Sequence, residues 1–269
     1  MVILSAALGL TLGCFAHAAS ADANISYFRD ACQPEPKNTD PAFHALWMKA
    51  YKAIEVENFA LCETSFREAA KKDPELSAAA QYNQAICTYN LKKYQDGIQL
   101  FNEAIAKQPT LKPFALKQLA SLETARAKVL IESGNLSDAE KLLQSALSRT
   151  PEDSEASSEL AFVYQRQKKF SECITVASRA LLKSQTSVEL LANRAGCYVA
   201  LDLESKAKDD LDSALQIQAD FLPALVMRAS IYAQLGKCSL AKKDARAAVK
   251  QDPTAQSYFK DPIKGCSLK

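Results

Sequence analysis

The sequence predicts an all-α protein, a solenoid of about six stacked helix-turn-helix repeats. Three observations carry that expectation. One spacing pattern recurs six times, the recurring positions hold mostly small side chains, and helix formers dominate while Gly is held to 7 of 269 residues.

The pattern begins at Ala50, Cys62, Phe66, Ala69 and Pro74, with steps of twelve, four, three and five. It returns at Ala85, Gly97, Phe101, Ala104, Pro109, and at Ala127, Ala139, Leu143, Ala146, Pro151. Ala161, Cys173, Ala177, Ala180, Gln185 follow, then Ala195, Ala207, Leu211, Ala214, Ala219, and finally Ala229, Ala241, Ala245, Ala248, Pro253. The first, second and fourth positions are only ever Ala, Gly or Cys. A twelve-residue step puts two small side chains on successive helices, where they let an antiparallel pair approach closely. The steps of four and three then run along one face of the second helix, and the Pro, where present, ends it. Two short helices cannot bury their apolar faces alone, so neighbouring hairpins must stack.

With Leu160, Ala161, Tyr164, Phe170, Cys173, Ala177 and Ala180 in register, and Phe59, Tyr94, Tyr198 and Tyr232 in further aromatic columns, the chain resembles the tetratricopeptide-repeat (TPR) family from about Phe43 to Ala255. Departures are Ala50 and its equivalents in place of the common Gly, and Gln185 and Ala219 in place of Pro. The resemblance implies a right-handed superhelix of repeats 43–76, 78–111, 120–153, 154–187, 188–221 and 222–255. Ser77 is a one-residue insertion, and Lys112–Leu119 adds eight residues. Pro113 suits the first turn of a helix, so the third repeat should begin with a lengthened helix over about Pro113–Ser133, stopping before Gly134 and protruding from the regular array. Residues 256–269 form a cap or tail, broken by Pro262 and Gly265.

Residues 1–18 stand apart. Val2–Phe15 is an uncharged run of 14 residues, too short to cross a bilayer, followed by Ala16-His17-Ala18, a signal-peptidase pattern. No Lys or Arg precedes the run. Thr11-Leu12-Gly13-Cys14 offers a second reading, a lipoprotein signal acylated at Cys14. Export to the periplasm or beyond is the expectation, with a membrane tether only if Cys14 is acylated. Residues 19–42 then form a linker holding the turn-rich Gln33-Pro34-Glu35-Pro36-Lys37.

The cysteines repeat as well. Cys62 and Cys173 take the same small position of a second helix, and Cys87 and Cys197 each lie two residues past the small residue of the next first helix. Disulfides Cys62–Cys87 and Cys173–Cys197 are therefore expected, with Cys238–Cys266 pinning the tail and Cys32 left over. Such bonds persist in oxidising compartments, which agrees with export.

The sequence carries no sign of catalysis. It has no phosphate-cradling Gly loop, no nucleophile elbow, and after the leader a single His, His44. Cysteines spaced unlike a metal cage argue against a metal, and no cofactor is implied. A formal net charge of +2 does not point to nucleic acid; the basic stretch from Lys237 onward reads as solvated helix faces. The expectation is a non-enzymatic scaffold or adaptor for protein or peptide partners, working in envelope assembly or secretion.

In the TPR family the first helices line a concave face on which partners lie. Mapped by position, that resemblance puts Trp47, Met48, Tyr51, Tyr82, Asn83, Ile86, Tyr89 and Asn90 of the first two repeats on or near it, with Phe162, Arg166 and Asn193 farther along. Aromatics give contact area at low entropic cost, and Asn can bind a peptide backbone as donor and acceptor. Some of these aromatics could instead pack against the Ala19–Asp40 segment folded back as a strap. Trp47 and Tyr51 stand where the family's carboxylate clamp needs Lys and Asn, so terminal-carboxylate binding is not expected.

Overall fold

The computed structural model describes residues 31–37, 40–184, 186–259 and Cys266. The leader with Ala16-His17-Ala18 and Cys14, together with Gln185, Pro262 and Gly265, lies outside the described residues. Among those described, the regular structure is helical, with α1 (Pro41–Glu55), α2 (Phe59–Lys72), α3 (Ser77–Asn90), α4 (Tyr94–Lys107), α5 (Lys112–Glu132) and α6 (Leu136–Arg149). There follow α7 (Ser154–Arg166), α8 (Phe170–Leu181), α9 (Val188–Ala200), α10 (Glu204–Ile217), α11 (Leu222–Gln234) and α12 (Cys238–Gln251). Short 3-10 turns cover Pro109–Leu111 and Pro253–Phe259.

Local chemistry sets the helix starts. The Asp40 carboxylate accepts from the Ala42 N–H at 2.7 Å, with Pro41 supplying the preset first turn. Asn58, Asp153 and Ser187 cap α2, α7 and α9 in the same manner. The hairpin turns share one device. Seven residues past each small first-helix position stands a residue with positive φ: Glu57, Lys92, Gly134, Lys168, Asp202 and Gly236. The next N–H returns to a carbonyl five residues back, as from Asn58 to Ala53, Lys93 to Thr88, Lys169 to Tyr164, Leu203 to Tyr198 and Lys237 to Tyr232. This satisfies carbonyls that a helix end leaves orphaned and turns the chain sharply into the second helix.

The small positions are where the helices meet. Ala50, Cys62, Ala69, Ala85, Ala104, Ala127, Ala139, Ala146, Ala161, Cys173, Ala195, Ala207, Ala214, Ala229, Ala241 and Ala248 are all fully buried. At Gly97 even a Cβ would run into Thr88 Oγ1 and Leu122. Larger side chains at these points would force the helices apart, an overpacking cost of about 1–3 kcal/mol per site.

The chain divides into two compact units, one holding α1–α5 with Lys141–Pro151, the other Gly134–Glu140 with everything from Glu152 onward. In the first, each of α1–α4 packs on its successor. Phe43, Trp47, Phe66, Tyr82 and Phe101 fill the centre, and Ala31 and Cys32 join the same hydrophobic cluster. The lengthened helix is present as α5, but its extra turns do not protrude: Leu111, Ala115 and Leu119 form a buried stripe at four-residue spacing, and the Tyr82 hydroxyl donates to the Phe114 carbonyl at 3.1 Å. The apolar face of the insertion is thus Leu111–Ala115–Leu119, while Phe114 is left exposed. In the second unit α7–α12 pack in sequence, and α9 also meets α7 and α11.

Three disulfides join these elements. Cys62 on α2 is bonded to Cys87 on α3, Cys173 on α8 to Cys197 on α9, and Cys238 on α12 to Cys266. The first two clamp a second helix to the first helix of the following repeat.

Candidate functional site

In the first unit the segment Ala31–Lys37 crosses the face formed by α1 and α3. Asn83 on α3 meets it with both ends of its side-chain amide. The Gln33 N–H donates to Asn83 Oδ1 at 2.7 Å, and Asn83 Nδ2 donates to the Gln33 carbonyl at 2.9 Å. The Tyr51 hydroxyl, from α1, donates to that same carbonyl at 2.9 Å. One residue's N–H and C=O point the same way only where the backbone is extended, and a residue preceding proline is driven into that region by the ring of Pro34. Main-chain groups alone are read here, so the contact is indifferent to the side chain at position 33. Farther along the segment, His44 Nδ1 lies 2.8 Å from a Glu35 carboxylate oxygen. A cleft of about 380 Å³ opens between residues 33–37 and Leu76, Ala79, Gln108 and Leu111.

The other residues expected on this face divide into two groups. Trp47, Tyr82, Asn83 and Ile86 are buried: the expectation that Trp47, Tyr82 and Ile86 present themselves to a partner is corrected, since they pack in the hydrophobic core, whereas Asn83 is covered by the Gln33 segment. Trp47 stacks on Phe43 and sits edge-on to Phe66 at centroid distances of 5.3 and 5.1 Å. Tyr82 is edge-on to Phe101 at 4.9 Å. The physical reason is size: with a small residue at every close helix contact, the space beside it must be filled by large rings, and these aromatics fill it. Asn83 is buried because the Gln33 segment lies over it. Met48, Tyr89 and Asn90 are exposed, and Tyr51 is half-buried beneath the segment.

In the second unit Asn193 occupies the same repeat position as Asn83, two residues before the small residue. It too is buried, with Nδ2 donating to the Ser158 carbonyl at 3.0 Å, so it joins α9 to α7 and is not free for a partner. Arg166 is exposed and lies over the Phe162 ring, 5.7 Å from its centroid. Beyond them runs a charged ladder that sequence reading did not single out. Arg194 makes a two-pronged pair with Asp210, at 2.8 and 2.7 Å, and donates to Ser178. One repeat later Arg228 pairs with Asp244 at 2.7 and 2.9 Å and donates to Asp212. Each Arg also lies over the Tyr four residues on, Tyr198 and Tyr232. Hydrogen bonds to Asp210 raise Arg194 above its ordinary pKa, against the opposing effect of burial. At Asp212 burial pushes the carboxyl up, but the combined hydrogen bonds and charges of Lys208 and Arg228 outweigh it and leave the pKa lowered. The signal in the sequence was Arg at one 34-residue period with Asp sixteen residues later, a spacing outside any within-helix rule.

Cys32 is unbonded and buried, and burial pushes its thiol up to about 12, which keeps it protonated and unreactive. His44 is exposed and engaged by Glu35. Among the described residues no group of three His, Cys, Asp or Glu side chains is placed to hold a metal, and no helix is long and apolar enough to cross a membrane.

Comparison with known proteins agrees with this architecture. Three profiles, each of the tetratricopeptide repeat, match residues 48–111, 130–197 and 222–254. The first stops at Leu111, where the insertion begins. DnaJ homolog subfamily C member 3 of Gallus gallus is 27% identical over 159 residues, covering 54% of this chain and 32% of that protein, so the chain spans about a third of its length. Among solved structures, YrrB, a TPR protein with an unusual peptide-binding site, is 17% identical with a TM-score of 0.52, covering 78% of this chain and 98% of its own. MamA from residue 41 onward, of Desulfovibrio magneticus RS-1, is 13% identical with a TM-score of 0.51, over 68% and 98%. The Cut9–Hcn1 assembly of the APC/C is 17% identical with a TM-score of 0.52, over 90% of this chain and 46% of the other. At such identities these likenesses concern the fold. The periodic small residues, the repeated hairpin turn and the profile matches together place the chain in the tetratricopeptide-repeat family.

Proposed function

We propose that the chain is an exported scaffold, without catalytic activity, that holds protein or peptide partners on the face formed by its first helices. A single observation carries the reading: Asn83 and Tyr51 already hold an extended peptide backbone, that of Gln33, through main-chain hydrogen bonds. A face able to satisfy a backbone N–H and C=O in this way meets the main requirement for taking up an unfolded segment, since those groups must find partners when they leave water. Exposed Met48, Tyr89 and Asn90 supply adaptable contact beside it. Export is supported by three disulfides, which form and last in oxidising compartments. Work in envelope assembly or secretion follows from that location.

The test is site-specific photo-crosslinking in the native host from Met48 and Tyr89, with Lys183 on the second unit as the control position. Partners should be captured from the first two positions and not from the third. Equal capture at all three, or localisation of the chain in a reducing compartment, overturns the reading.

A further inference from the structure

We propose that the α1–α3 face is a binding site for extended X-Pro segments, and that Gln33-Pro34 of the chain itself is a resident occupant which a partner must displace. The inference rests on the scaffold reading above and adds the chemistry of the ligand and a regulatory device. Its first support is the matched geometry. One Asn amide satisfies the N–H and C=O of a single residue, while Tyr51 takes the second lone pair of that carbonyl. A residue before proline is held extended before it binds, so less conformational entropy is lost on docking. Because the bonds go to main-chain atoms, another X-Pro segment can replace Gln33-Pro34 without altering them.

Its second support is how the strap is held elsewhere. Pro34 and Lys37 are exposed, and the cleft against Leu76, Ala79, Gln108 and Leu111 leaves one side of residues 33–37 unpacked. The Glu35–His44 contact is on the surface. Ala31 and Cys32 enter the hydrophobic cluster, while the bonds at Gln33 go to main-chain atoms that a competing peptide can reproduce. A tethered strap competes at high effective concentration, so the intact chain should bind weakly until a tight or multivalent partner arrives.

The probe is a fluorescent peptide with the sequence of residues 31–37, carrying Cys32→Ser, acetylated and amidated. It is titrated into the full chain and into a full-length variant in which residues 33–37 are replaced by Gly and Ser. The variant should bind at least tenfold more tightly than the intact chain. A probe N-methylated at the Gln33 position, which cannot donate to Asn83, should lose at least tenfold in affinity for the variant, with no change to the protein. In the intact chain, saturating probe should speed alkylation of Cys32, located by peptide mapping, at least tenfold, because the departing strap carries that thiol into solvent. Equal binding to intact and variant chains, indifference to N-methylation, or binding without faster Cys32 alkylation each overturns the proposal. So does absence of binding to a variant whose helical circular dichroism is unchanged. In each of those cases the crosslinking test of the scaffold reading stands by itself.

Discussion

Asn83 and Gln33 lie fifty positions apart in sequence and exchange two hydrogen bonds, at 2.7 and 2.9 Å. Asn83 is fully buried and Gln33 half-buried, so the bonds are partly withdrawn from water. Asn83→Ala should therefore leave the Gln33 N–H unsatisfied and lower stability by about 1–3 kcal/mol. Asn83→Asp keeps the acceptor but sets a carboxylate oxygen against the Gln33 carbonyl, and should cost at least as much. Urea unfolding monitored by circular dichroism measures both; a change under about 0.5 kcal/mol for either would contradict the assignment.

The disulfides give a count as well as an energy. Denatured but unreduced protein should show one reactive thiol, Cys32, with a second if the chain retains Cys14; reduction should add six more. Breaking Cys173–Cys197 by a double Ser substitution opens a loop of 24 residues, and should cost about 3–4 kcal/mol in the chain-entropy picture. The same holds for Cys62–Cys87. Ellman titration and denaturant midpoints read these two results.

The turn residues make a third case. Lys168 sits at φ 61°, a conformation that a side chain disfavours by about 1–2 kcal/mol. Lys168→Gly relieves this but frees the unfolded chain, which returns part of the gain. A net stabilisation of roughly 0.5–1 kcal/mol is expected. Gly236→Ala, at φ 71° in the equivalent turn, should lower stability by about 1 kcal/mol. Thermal midpoints moving in opposite directions for the two variants would bear this out.

Two carboxylates should respond to pH with opposite sign. The Asp212 pKa is lowered in the folded chain, so its contribution is present above the ordinary aspartate value and lost as pH falls through the folded one. Asp212→Asn should remove that acid-side loss. Glu123 is raised, because burial outweighs the Arg149 charge and the bonds from Ser145 and Arg149. The folded state then holds its proton more tightly than the unfolded chain, and stability declines as pH rises from the ordinary glutamate value through the folded one. Glu123→Gln, which still offers Arg149 an acceptor, should flatten that decline. Unfolding free energies taken from pH 3 to 7 distinguish the slopes.

Arg228 ties together Asp244 and Asp212. Arg228→Ala strands the buried Asp244 carboxylate and should cost about 3–5 kcal/mol, whereas Arg228→Lys, lacking the planar fork, should recover only part of it. Full recovery by Lys would mean that charge alone matters at this position.

Much of the fold was legible because packing imposed a period. Where helices touch closely only Ala, Gly or Cys fits, and at Ala50, Ala85, Ala161 and their equivalents that restriction leaves a mark any reader can find. The hairpin turn left almost none. Its positive φ falls on Glu57, Lys92, Lys168 and Asp202 as well as on Gly134 and Gly236, so no residue type announces it. The candidate site was half legible. Asn83 was picked out for its ability to read a backbone, yet Trp47 and Tyr82 were expected at a surface and fill the core, since an aromatic side chain serves either end and the sequence does not state its direction. The partner of Asn83 was hidden for another reason: a main-chain contact carries no side-chain signature, and Gln33 is distinguished only by the proline that follows it. Likewise Arg194 and Asp210 meet between helices, where only the three-dimensional stack brings positions sixteen apart together.

Under tension applied to its two ends, this chain would not pay out its full length. Each disulfide locks a segment of 24 to 28 residues out of the extending path, hiding about 80–100 Å of contour apiece at roughly 3.3–3.6 Å per residue. Thiol reductants would release that slack stepwise, so an array of this kind yields to force in one redox environment and holds in another.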